Sequence, residues 1–228
     1  MWRGHSNSAF ELSSSLHRHF VGQNVPSEAW ANLESRALNY FRENIAYTKI
    51  NSPSDLTWVD IMQIMQHYGC PTRLLDWTYS PYIATYFTRY SLAPKALFAL
   101  NLDLYKKYLD KTHDELSSWG GLITNLTNNA LMELIRSEKV LPPLPIKPAP
   151  IFERPLMQKS MFLLDISLEP SLINAIDSID KKLLVKIEFP PSVVREAFKD
   201  LEMMNIDGYH LFGGAEGVAQ KAKELIYT

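Results

Sequence analysis

Apolar residues recur every three or four positions through residues 26–44. Trp30, Leu33, Ala37 and Tyr40–Phe41 fall on one face there, which predicts an amphipathic helix. Residues 51–69 repeat the pattern, with Trp58, Ile61, Met62 and Met65 at i, i+3, i+4 and i+7. Asp55 is the expected N-cap and Gly69 the expected stop. A third helix starts at Ser80-Pro81, an N-cap followed by proline, and runs through Ile83, Ala84 and Phe87 to about Tyr90.

Further along, short bounded apolar runs at 95–103, 160–167 and 181–190 predict strands. Residues 114–139, 191–205 and 216–228 predict helices, the first broken at Gly120-Gly121. Residues 140–158 carry six prolines in nineteen positions, which rules out a central strand or a helix and leaves an extended crossing or a loop. No repeat, low-complexity tract or linker interrupts the chain. The expectation is one α+β domain over residues 1–228, helix-rich first and strand-rich second.

Composition narrows the function classes. A hydrophobic fraction of 46% and a charged fraction of 21% are those of a globular chain. The net charge of −2 supplies no global field toward nucleic acid or anionic lipid. The lone Cys70 makes no internal disulfide, and neither a signal-peptide core nor a membrane span is legible, so a cytoplasmic protein without a membrane partner is expected. The chain opens abruptly on Trp2-Arg3-Gly4; either the domain begins there or sequence upstream of it is missing.

Two stretches concentrate chemistry. In "MQHYGCPTRLLDWTYSP" (65–81), His67 closes a helix, where the dipole favours a protonated imidazole. Arg73 and Asp76 then stand on what reads as a loop. They either pair with each other and with backbone as a structural lock, or Arg73 holds an anion while Tyr68 or Trp77 offers a face to a flat ring. A nucleotide supplies both an anion and a ring. In "WRGHSNSAFELSSSLHR" (2–18), Arg3-Gly4 sets a bidentate donor beside a residue that permits close approach, unless the segment is a solvated arm. Glu216 is either a favourable helix-start carboxylate or a pocket acid. Six histidines form no HExxH or Cys/His cluster, so no metal site is expected. Rossmann, P-loop and GxSxG motifs are missing, and Cys70 reads as a small buried filler.

Together "WRGHS" and "QHYGCPTRLLDWTYSPYIATYFT" (66–88) resemble the FRG domain, a family named for its Phe-Arg-Gly motif, with Trp2 in place of the Phe. "ERPLMQKSMF" (153–162) and "YHLFGGAEGVAQ" (209–220) resemble its later segments, with Ser160 where Gly is usual and Gly213 where Pro is usual. The resemblance implies a bacterial or phage protein in a toxin or phage-defence setting, related to ADP-ribosyltransferases. It implies a mixed, split β-core gripping NAD as substrate. Arg3 then contacts the cofactor from the first core strand, and Gly4, His67, Tyr68, Thr72, Arg73 and Trp77 surround the cleft. Asp76 or Glu216 supplies the acid, while Gln158 stands where many relatives of that fold carry Glu. The implied activity is transfer of ADP-ribose from NAD to a nucleic-acid or protein acceptor. The alternative is a non-catalytic module that binds a nucleotide or a partner in the same pocket.

Overall fold

The computed structural model describes residues 1–45, 47–48, 56–89, 91–112, 128–136, 141–168 and 170–227. Its six strands are β1 (Trp2–His5), β2 (Leu74–Thr78), β3 (Lys95–Leu100), β4 (Leu144–Ile146), β5 (Ser160–Leu164) and β6 (Leu184–Phe189). They form one sheet in the order β4-β5-β2-β1-β3-β6. Every pairing is antiparallel, which corrects the expectation of a mixed sheet. The central seam is thin. β1 meets β2 only at Trp2–Thr78, whereas β2 meets β5 from Leu74–Leu164 to Thr78–Ser160. Two three-stranded halves are therefore hinged on one register pair.

The helices are α1 (Ser15–Gly22), α2 (Ser27–Ile45), α3 (Trp58–His67), α4 (Pro81–Tyr86), α5 (Leu102–Thr112), α6 (Asn128–Arg136), α7 (Arg154–Met157), α8 (Leu172–Asp177), α9 (Val194–Met203), α10 (Gly208–Phe212) and α11 (Gly214–Tyr227). The main core joins α2 and α3 to the sheet through Leu38, Ile61, Met62, Leu74, Leu75, Trp77, Phe98 and Leu163. α2 buries only part of its surface in this layer, whereas α3 is buried almost all round, from Trp58 to Met65. A smaller cluster of Ile83, Tyr86, Leu201 and Leu211 ties α4 to α9 and α10. Among the described residues, no helix is long and apolar enough to cross a membrane.

Several expectations need correction. Residues 74–78 are a central strand rather than a loop, and residues 15–22 are a capped helix rather than part of an arm. Among the described residues, strands divide evenly between the two halves of the chain, so the second is not the strand-rich one there. Trp30, Leu33 and Phe41 of α2 pack against the cores as predicted, but its most buried line lies elsewhere. Glu34 and Leu38 are buried while Ala37 and Tyr40 are exposed, because Glu34 turns inward to a charged partner. α3 is capped by Thr57, whose hydroxyl accepts from the Asp60 amide while the Asp60 carboxylate accepts from the Thr57 amide. Asp55, Tyr90 and Gly120-Gly121 lie outside the described residues.

The proline-rich stretch does contain a strand and a helical turn, each where proline permits it. β4 is an edge strand, and Pro155 sits in the first turn of α7.

Candidate functional site

β2 decides which motif residues meet solvent. Successive side chains alternate across a strand, so Asp76 emerges on one face while Trp77, only 2% exposed, is driven into the core on the other. The indole is a packing element with no face free for a ring.

Arg73, also 2% exposed, points inward as well. Its Nε donates to Glu34 Oε1 at 2.7 Å, and its Nη2 donates to Glu34 Oε2. Its Nη1 donates to the carbonyls of Asp165 at 2.8 Å and Ile166 at 2.5 Å. The anion Arg73 recognises is therefore internal. Neither an Arg73–Asp76 pair nor a ligand-facing Arg73 is formed.

Asp76 borders a cavity of about 140 Å³. α3 supplies Gln63, Gln66 and His67, which share one helix face at i, i+3 and i+4. β5 supplies Ser160 and Phe162, and the strap 149–158 supplies Phe152, Arg154 and Gln158. Gln63 holds the strap like a ladder rung: its Oε1 accepts from the Ala149 amide at 2.7 Å, and its Nε2 donates to the Lys147 carbonyl at 3.4 Å.

A relay of hydrogen bonds orients the Asp76 carboxylate. The Thr72 hydroxyl accepts from the Leu74 amide at 3.2 Å and donates to Gln66 Oε1. That bond leaves Gln66 Nε2 to donate to Asp76 Oδ1 at 2.8 Å. The N-terminus of α1 clamps the relay, because Ser15 Oγ accepts from the Thr72 amide and donates to its carbonyl, each at 3.0 Å. Thr72 is thus a positioning residue behind the wall rather than part of it.

Arg3 spans the thin seam from β1. Its Nη1 donates to the Asp76 carbonyl at 2.5 Å, and its Nε donates to His5 Nε2 at 3.2 Å. Burial lowers the Arg3 pKa below its usual value, and the Asp76 charge opposes the shift. His5 is pushed down to about 3 by burial first and by the Arg3 charge second, so it is neutral and accepts from Arg3. Gly4 is spent on packing. A Cβ there would sit 1.9 Å from the Ala84 carbonyl oxygen of α4, so close approach serves a helix instead of a ligand.

His67 stacks on Phe152, with ring centroids 3.9 Å apart and an interplanar angle of 15°. Burial lowers its pKa, the Arg154 charge lowers it further, and Glu216 only partly offsets them. The imidazole is therefore neutral, which corrects the protonated form expected from the helix dipole alone. Tyr68 is an exposed residue edge-on to His67 and does not line the cavity.

Arg154 stands on the cavity wall, pairs with Glu216 at 3.1 Å and lies 4.5 Å over the Phe212 ring. Glu216 itself is in the first turn of α11, outside the lining, and reaches the cavity only through Arg154. Gln158 lines the cavity, but its Nε2 is committed to the Leu211 carbonyl at 3.1 Å. Cys70 is half-buried, and burial raises its thiol pKa, the opposite of an activated nucleophile. His17 is buried on α1 and His19 is not, so the two diverge.

Of the residues anticipated for the site, the structure gathers His67, Asp76 and Gln158 on one cavity, with Arg3 immediately behind Asp76. Gln63, Gln66, Phe152 and Arg154 were not anticipated. Gln66 and Arg154 were visible as members of the quoted motifs, whereas the role of Gln63 depends on a strap that reaches α3 only in three dimensions.

Comparison with known proteins finds no match among curated proteins or solved structures. A family model, that of the FRG domain, matches residues 1–95. The match takes in Arg3, Gln66, His67, Thr72, Arg73 and Asp76, and stops short of the strap and of the resembling segments at 153–162 and 209–220. The first 95 residues are thus similar to the FRG domain, as the motifs implied.

Proposed function

We propose that the cavity binds a nucleotide, NAD foremost, and that the protein is an ADP-ribosyltransferase-like enzyme with Asp76 as the acid beside the ribose. One observation carries this reading. A carboxylate held by the Thr72–Gln66 relay borders a cavity about one aromatic ring in size, with a guanidinium on the same wall. A volume of about 140 Å³ is small for a whole dinucleotide. The nicotinamide enters between the aromatic walls, and the pyrophosphate lies outside against Arg154. The sheet halves hinged at Trp2–Thr78 suit the split core that the relation to ADP-ribosyltransferases implies.

In the proposed reaction the bond from ribose C1′ to the nicotinamide nitrogen breaks, and its electron pair leaves with nicotinamide. The Asp76 carboxylate stabilises the oxocarbenium-like transition state. An acceptor lone pair then adds to C1′, and neutral His67 takes the proton the acceptor gives up. The acceptor is a nucleic acid or a protein, in the toxin or phage-defence setting the family resemblance implies.

Labelled NAD incubated with the protein and mixed cell extract tests the reading, with calorimetry for binding. Transfer or NAD hydrolysis is expected, falling about 100-fold or more in Asp76→Asn while NAD still binds. Absence of binding, transfer and hydrolysis together sinks the proposal.

A second reading, a non-catalytic nucleotide-binding module, is favoured by the Gln66 amide already occupying Asp76 Oδ1. It predicts thermal stabilisation by NAD without turnover, unchanged by Asp76→Asn.

A further inference from the structure

β6 ends the sheet, with β3 on one side and no described strand on the other. Val185 and Ile187 are 51% and 43% exposed, an unusual cost for two β-branched residues in mid-strand. They stand opposite Ala99 and Leu97 of β3, both half-buried, so an apolar stripe runs to the open edge on one face. The other face carries Lys186 and Glu188, paired at 2.5 Å, with the Lys186 ammonium also donating to the Ser8 carbonyl at 2.8 Å. An exposed six-residue edge of this kind is a template for another strand.

We infer that the occupant is a second copy of this chain, pairing β6 to β6 antiparallel about a two-fold axis at Ile187. The sequence Leu-Val-Lys-Ile-Glu-Phe is self-complementary in that register. Ile187 faces Ile187 of the second copy, and Val185 faces Phe189, so one face of the seam is wholly apolar. Lys186 faces Glu188 on the other face, twice by symmetry, giving four charges that alternate in sign. Shifting the register by one residue sets Lys186 against Ile187 and loses both matches. Pro190 and Pro191, which follow β6, limit the pairing to this strand.

β6 lies at the opposite end of the sheet from β5, whose Ser160 and Phe162 line the cavity. The dimer is a continuous twelve-stranded sheet with an open cavity toward each end. It is independent of the nucleotide reading.

Sedimentation velocity of the whole chain, from about 5 to about 200 µM to cover a small interface, is expected to show a monomer–dimer equilibrium. Glu188→Lys sets lysine against lysine twice and weakens association about tenfold or more. Lys186→Glu combined with Glu188→Lys restores the alternation and the dimer. Ile187→Cys in a Cys70→Ser background gives a covalent dimer on oxidation, because facing Cα atoms in such pairs are about 4.5–5.5 Å apart. A wild-type chain that stays monomeric throughout overturns the inference, even if it binds an extended peptide at this edge. A dimer indifferent to Glu188→Lys, or one not restored by the double exchange, overturns it equally.

Discussion

The buried Arg73–Glu34 pair yields the sharpest quantitative expectation, because it separates scaffold from binding site within the densest motif. Arg73→Met removes the guanidinium and leaves the Glu34 carboxylate, 6% exposed, with no cation beside it. It also strips a donor from the Asp165 and Ile166 carbonyls. Uncovering a buried charge in this way costs about 3–5 kcal/mol. With a urea m-value of about 2–3 kcal/mol/M, the unfolding midpoint falls by about 1–2.5 M. Arg73→Lys recovers little, since one ammonium cannot reproduce a two-pronged contact to Glu34 and two further bonds. Adding Glu34→Leu to Arg73→Met removes the stranded carboxylate. The double variant is then more stable than Arg73→Met alone, although the two carbonyls still cost about 1–3 kcal/mol each if left unpaired. Equilibrium urea unfolding of wild type, Arg73→Met, Glu34→Leu and the double variant closes the cycle. A loss below about 1 kcal/mol in Arg73→Met, or lost NAD binding at unchanged stability, refutes the internal assignment and returns Arg73 to a ligand.

Three further outcomes follow from local geometry. His5, with a folded pKa of about 3 against 6.5 in the unfolded chain, contributes stability that is lost as pH falls from about 6.5 toward 3. This one group costs about 2 kcal/mol between pH 7.5 and pH 5, and urea midpoints at the two pH values should converge in His5→Gln. Gly4→Ala drives a methyl group into the Ala84 carbonyl and should lower stability by about 3 kcal/mol, read as a large drop in Tm. An unchanged Tm there would mean that β1 and α4 are not packed as described. Thr57→Ala removes half of the capping box of α3 and should cost about 1 kcal/mol in chemical unfolding, while Thr57→Ser costs less.

The helices at 27–45, 58–67 and 81–86 were legible because amphipathic spacing and capping residues are local properties. The strands at 95–100, 160–164 and 184–189 were legible as short bounded apolar runs. β1 and β2 escaped the apolar pattern for a common reason, although the family resemblance did imply a core strand at Arg3. Each is four or five residues long, and both carry polar or charged residues where a core strand is expected to be apolar. Neither reads as a strand until the sheet surrounds it.

The candidate site divides along the same line. The likeness to the FRG domain was written in the motif, because a dense run of unlike residues is specific even when its geometry is unknown. Orientation was not. Arg73, Asp76 and Trp77 lie within five residues, and only alternation along β2 sends Asp76 outward and Trp77 inward. Glu34 then claims Arg73 from a helix 39 positions earlier. His67 shows the limit of local electrostatics. The helix end favours its charged form, and burial beside Arg154, brought in by a distant strap, reverses that preference. By itself, then, the sequence determined the α+β class, the longer amphipathic helices, the strands β3, β5 and β6 and the likeness to the FRG domain, since spacing, caps and motifs are carried by neighbouring residues. Only the tertiary structure decided the all-antiparallel order, the hinge at Trp2–Thr78 and which motif residues face the cavity. Those depend on contacts between segments far apart in the chain, and no local pattern encodes them.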